Sequence, residues 1–166
     1  MKSLSKSLIT VLMAGVISAC SPQNDQQAML QKAVAIETAD ECHLCGMIIS
    51  NFGGPKGEAF RKEEGNKVSK FCSTRDMFSY YLEPENKRNV AVMYVHDMSK
   101  MPWDEPDDGY FIDAKTAWYV AGSEKYGAMG ETLASFSKQE DAKAFAKEFG
   151  GKVLSFAQVD HSVLMY

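Results

Sequence analysis

The sequence predicts an α+β fold: two similar ββαβ units forming one pseudo-symmetric compact domain. Three observations carry that expectation. Strand-like apolar runs recur around two helix-start signals, Ser73-Thr74-Arg75-Asp76 and Ser137-Lys138-Gln139-Glu140, each a serine followed three positions later by an acid. Superposing Ser73 on Ser137 brings Asp76 over Glu140, Phe78 over Ala142 and Tyr81 over Phe145, so the helical faces stay in register over a repeat of about fifty residues. Between the two patterns lies a polar stretch punctuated by Pro102 and Pro106 and acidic from Asp104 to Asp108, where the halves divide.

The chain begins with a segment that does not belong to the fold. Lys2 and Lys6 precede a short apolar run, Leu8 to Ile17, too short to span a bilayer and typical of a cleaved secretory signal over residues 1–19. That signal closes on Ile17-Ser18-Ala19-Cys20, which resembles a bacterial lipobox and implies lipidation of Cys20, with acyl chains holding the mature chain to a membrane. Residues 20–36 then comprise the lipidated cysteine and a polar tether, with few apolar side chains to bury.

The first unit covers residues 37–98. Ala33 to Asp40 reads as a lead-in strand or loop, followed by the knuckle Cys42-His43-Leu44-Cys45-Gly46-Met47 and a short apolar run to Ile49. The turn residues from Asn51 to Gly57 set up strands over Glu58 to Arg61 and Lys67 to Cys72. A helix follows from Thr74 to Leu82, with Met77, Phe78, Tyr81 and Leu82 on one face, and Pro84 stops it. Asn89 to His96 alternates as a strand. The connector is drawn at residues 99–116.

The second unit covers residues 117–166. Ala117 to Ala121 is an apolar, aromatic strand, Tyr126 to Gly130 a glycine-bracketed turn, and Thr132 to Phe136 a further strand. The capping box at Ser137 opens a helix whose buried face is Ala142, Phe145, Ala146 and Phe149. Gly150-Gly151 ends it, and Lys152 to Val159 closes the sheet.

Composition bounds the function. A chain of 166 residues with 45% hydrophobic and 24% charged residues is an ordinary globular protein. Its formal charge of −4 becomes −6 once Lys2 and Lys6 are removed with the signal, which disfavours a nucleic-acid partner but not a cation. With Cys20 acylated, Cys42, Cys45 and Cys72 remain, an odd number that a purely disulfide-stapled scaffold would not carry. No nucleophile triad, phosphate loop or carboxylate pair stands out.

The chemistry therefore concentrates in the knuckle. Thiolate and thioether sulfurs are soft ligands that select Cu(I), and Gly46 lets the backbone turn so that Cys45 and Met47 can face one ion. Cys42 and His43 stand beside them as secondary candidates. Cys72, at the end of a strand before a helix start, is a third, because a helix N-terminus favours thiolate. Met129, bracketed by glycines in a turn, is a thioether in a poor place for core packing. Two other readings stay open: a Cys42/Cys45 thiol–disulfide pair, and a structural zinc site, for which a second ligand pair is missing.

Five separated segments resemble the NosL family, the lipoprotein accessory factors of nitrous oxide reductase. They are Cys45-Gly46-Met47-Ile48-Ile49, Phe71-Cys72-Ser73 with Asp76-Met77-Phe78, Trp118 to Ser123, Gly127-Ala128-Met129-Gly130, and Phe149-Gly150-Gly151. The resemblance implies two ββαβ units, as in the N-terminal part of organomercurial lyase, and a Cu(I)-binding chaperone with no catalytic residues. It further implies that apo nitrous oxide reductase and its maturation machinery are the partners, on the periplasmic side of a bacterial membrane. Carried over by position, it makes Cys45, Met47 and Met129 the copper ligands, with Cys42 an accessory ligand or redox guard.

Overall fold

The computed structural model describes residues 31–63, 65 and 67–165. The signal, Cys20 and the first part of the tether lie outside them. The first sheet contains β1 (Gly57–Arg61), β2 (Val68–Phe71), β3 (Val90–His96) and β4 (Phe111–Asp113), all antiparallel in the order β2-β1-β3-β4. Helices α1 (Thr74–Leu82) and α2 (Pro84–Asn89) link β2 to β3. The second sheet is β8 (Ala134–Phe136), β5 (Trp118–Ala121) and β9 (Lys152–Ser155), with α3 (Gln139–Phe149) between β8 and β9. In the first sheet β1 lies between β2 and β3, and in the second β5 lies between β8 and β9. A small hairpin, β6 (Tyr126–Gly127) and β7 (Gly130–Glu131), leaves the second unit, and α4 (His161–Leu164) ends the described chain.

Local chemistry explains where α1 starts. Ser73 is its N-cap, and the Ser73 hydroxyl accepts from the Asp76 amide, satisfying one of the donors that a helix start leaves unpaired. Against β1 the helix comes very close: a Cβ at Gly57 would stand 2.7 Å from Met77 Sδ, so only glycine fits there. The other face of α1 enters the second unit, where the Phe78 ring meets Tyr119 edge-on at 4.9 Å and Phe156 at 5.4 Å. Phe78 and Tyr119 are both fully buried, each contributing about 2 kcal/mol by area removed from water. One core thus runs through both units, and a second, smaller one lies under α3 around Val120, Phe136 and Ala142.

Four local expectations need correction. Pro84 does not merely stop a helix; it is the first residue of α2, where its missing N–H costs nothing, so Asn89 is helical and the strand begins at Val90. The connector is not only a loop, because Phe111–Asp113 adds a fourth strand to the first sheet. Ser137 does not cap α3: Lys138 holds the N-cap position without a side-chain bond, and the Ser137 hydroxyl is engaged by the Asp97 carboxylate. The closing strand ends at Ser155, where Ser155 and Gln158 form a capping box that turns the chain into a short 3-10 helix. At the other end of α3 the glycine cap is as expected, with Gly150 at φ 75°.

The lead-in before the knuckle forms no strand. Side chains from the first sheet and the connector grip its backbone instead. Glu58 accepts from the Val34 amide at 3.0 Å, Lys70 donates to the Ala35 carbonyl at 2.5 Å, and Asp108 accepts from the Ile36 amide at 2.7 Å. No helix among the described residues is long and apolar enough to cross a membrane.

Candidate metal centre

The knuckle is a closed loop. The Cys42 amide donates to Met47 O and the Gly46 amide to Cys42 O, each at 2.8 Å, and Glu41 bridges Ile48. Gly46 sits at φ 74°, the left-handed conformation that closes such a turn and that glycine adopts without strain. A bond from the His43 amide to Lys70 O fastens the loop to β2, beside the point where β2 runs into Cys72.

This placement gathers four donors. Cys42, Cys45, Cys72 and Asp76 offer ligand atoms that all lie within 4.8 Å of one another. All three thiols are free. Cys45 Sγ is 3.5 Å from Cys72 Sγ, while Asp76 Oδ2 accepts from Cys72 Sγ at 3.0 Å and from Cys42 Sγ at 3.7 Å. Cys42 and Cys72 are buried and Cys45 is exposed, so the cluster has a closed floor and one sulfur at its mouth.

The thiols share their protons unequally. A hydrogen bond from Cys72, with help from the Leu44 and Cys45 amides, draws Cys42 well below the ordinary thiol range despite its burial. Cys72 is pushed far up, first by that bond to Cys42, then by burial and by the adjacent Asp76. Burial raises Cys45, and burial also raises the Asp76 carboxyl, partly offset by the Cys72 hydrogen bond. Lys56, almost wholly buried nearby, is drawn down to about 8 by burial, while the Cys72 and Cys42 sulfurs favour its charged form.

Met47, two residues past Cys45, is half-buried against the main core. Met129 is 54% exposed at the tip of the β6–β7 hairpin. That hairpin docks near the start of α1: a Cβ at Gly127 would lie 3.6 Å from Ser73 Cβ, and Arg75 donates to Glu131 O at 3.3 Å. His43 is outside the group, with its ring edge-on to Tyr80 at 5.2 Å and Phe71 at 5.9 Å. Asp76 was missed as a ligand candidate because it also serves as the acidic residue in the first turn of α1. Its spacing was the available signal, since Cys72 and Asp76 stand four apart across a helix start and share one side.

What the arrangement can do follows from its donors. Three sulfurs and one carboxylate oxygen suit a soft or borderline ion and not a hard one. The NosL family model matches residues 33–164. The chain is 47% identical over 157 residues to the copper-binding lipoprotein NosL of Stutzerimonas stutzeri, covering 95% of this chain and 80% of that protein. The crystal structure of the copper chaperone NosL from Shewanella denitrificans superposes with a TM-score of 0.77 at 50% identity, over 80% of this chain and 98% of the other. The solution structure of apo-NosL from Achromobacter cycloclastes gives a TM-score of 0.50 at 34% identity, over 65% of this chain and 87% of the other.

Proposed function

This chain belongs to the NosL family, and on that premise we propose that it is a Cu(I) chaperone anchored through Cys20 on the periplasmic side of a bacterial membrane. It carries copper for assembly of the copper–sulfide centre of nitrous oxide reductase, binding the ion without catalysis. The observation that carries this reading is the meeting of Cys42, Cys45, Cys72 and Asp76 in one small group with a single sulfur at the surface.

In this reading Cys45 is the first sulfur that an arriving ion meets and the last that it leaves. The buried thiols hold the cargo, and loading releases their protons. Met129, exposed on its hairpin, and Met47 are the thioethers that complete the soft set. Because thioethers bind weakly and Cys45 is accessible, an acceptor can take over one ligand at a time. A thiol–disulfide oxidoreductase normally places its Cys-x-x-Cys at the start of a helix. Here the pair sits in a closed loop, and Cys45 Sγ stands 3.5 Å from Cys72 Sγ.

The test is an anaerobic Cu(I) titration of the mature chain against a competing chelator, beside Cys45→Ser, Cys42→Ser and Cys72→Ser. Tight binding by the wild type, weakened on the order of tenfold or more by each substitution, is expected, followed by transfer to apo nitrous oxide reductase. Reduced wild-type protein that takes up no Cu(I) would sink the reading.

A further inference from the structure

Lys56 is the least expected residue near the site. It is 2% exposed, and its ammonium donates to three carbonyls: Phe52 O at 2.6 Å, Gly53 O at 2.9 Å and Cys72 O at 3.2 Å. Among the described residues no carboxylate pairs with it. Carbonyl dipoles satisfy its donors but bring no negative charge, and an isolated buried ammonium is costly. The cavity it lines also carries Asp104, Glu105 and Asp108, and its bond to the Cys72 carbonyl ties the ammonium to the thiol group. Its own amide donates to Nδ1 of the buried His96 at 3.3 Å, and His96 Nε2 pairs with Asp108.

The donor set creates a selectivity problem. Three thiolates and a carboxylate are also a satisfactory tetrahedral set for zinc, and the oxygen of Asp76 favours a divalent ion over Cu(I). Sulfur chemistry alone does not separate the two. Charge does. For the same number of thiol protons displaced, a divalent ion leaves the site one unit more positive than a monovalent ion. Inside a poorly screened interior that extra unit is repelled by a fixed neighbouring ammonium.

Resting on the copper-carrier reading, we propose that Lys56 is a specificity residue whose buried charge biases the Cys42–Cys45–Cys72–Asp76 site toward monovalent Cu(I) and against divalent ions. It touches no cargo. It acts through space, and through its hold on the Cys72 carbonyl.

Paired competition titrations of the mature chain with Cu(I) and with Zn(II), under anaerobic reducing conditions, test this in wild type and Lys56→Met. The expected result is a fall in the Cu(I)-to-Zn(II) affinity ratio on the order of tenfold. Lys56→Gln retains a donor for the three carbonyls while removing the charge, so it gives the same reading if Lys56→Met does not fold. A ratio that stays fixed overturns the proposal, whether both affinities hold or both fall together as a purely structural role would make them. Wild-type protein that binds no Cu(I) overturns the carrier reading, and this one with it. An intact wild type with an unmoved ratio overturns only the role of Lys56.

Discussion

Cys72 Sγ lies 3.0 Å from Asp76 Oδ2, one turn away across the start of α1, and this pair joins the helix to the metal cluster. A carboxylate accepting from a thiol holds the proton on sulfur, because the negative charge opposes thiolate formation. Both the bond and the charge of Asp76 push Cys72 up. Asp76→Asn removes the charge and keeps the size. Thiolate ultraviolet absorbance of the last thiol to ionise should then appear at lower pH. An unmoved or upward-moved profile would mean that Asp76 does not govern Cys72.

Met129 tests whether the hairpin tip serves the site or only the fold. At 54% exposure it has little to lose on truncation of its contacts, and leucine nearly conserves its volume. Met129→Leu should leave the denaturation midpoint within about 0.5 kcal/mol of wild type while weakening Cu(I) binding in chelator competition. Normal copper binding with easy unfolding would make Met129 a packing residue and remove it from the ligand set.

The two units are stitched together at Thr74. Its hydroxyl, fully buried, contacts Thr132 Oγ1 at 3.1 Å and donates to the Leu133 carbonyl, while its amide reaches Pro55 O at 3.2 Å. Thr74→Val keeps the shape and leaves Leu133 O and Thr132 without that partner. A loss of about 2 kcal/mol is expected in urea unfolding. The spectrum of the copper-loaded site should persist, since no ligand is touched.

How much of this was legible in the sequence depends on the range of the interaction. Periodicity located β1, β3, α1 and α3, because local burial patterns and the Ser73 cap are written in neighbouring residues. The pairing of Ser137 with Asp97 was not legible, since it joins residues forty apart and displaces a good local capping signal. Strand β4 is only three residues long and gains its identity from the edge of β3, so no local pattern announced it. At the site, the sulfurs of the knuckle could be read directly. That Cys72 and Asp76 meet them follows from β2 delivering Cys72 beside a loop fastened to Lys70 O, a long-range fact. Lys56 left no trace: a lysine in a turn-rich stretch reads as surface, and only the fold brings the carbonyls of Phe52, Gly53 and Cys72 around its ammonium.

Glu58 makes the fold itself sensitive to pH. It is fully buried on β1, with Oε2 accepting from the Val34 amide and Oε1 without a partner. Burial raises its carboxyl from 4.5 to about 7; the Val34 amide and Lys70 oppose the rise, while Asp108 and Asp40 add to it. The folded state therefore holds a proton that the unfolded state gives up near its ordinary value. Below the unfolded value both states are protonated and nothing is lost. As pH climbs from there through about 7, the folded chain must either keep the proton or bury a charge, and stability falls. Glu58→Gln is a neutral isostere that still accepts from Val34. It should be more stable than wild type by about 2 kcal/mol above pH 7 or so, with the advantage vanishing toward pH 4–5. Urea unfolding of both proteins across that range decides it. A constant difference would show that Glu58 takes up its proton at the same pH in the folded and unfolded states.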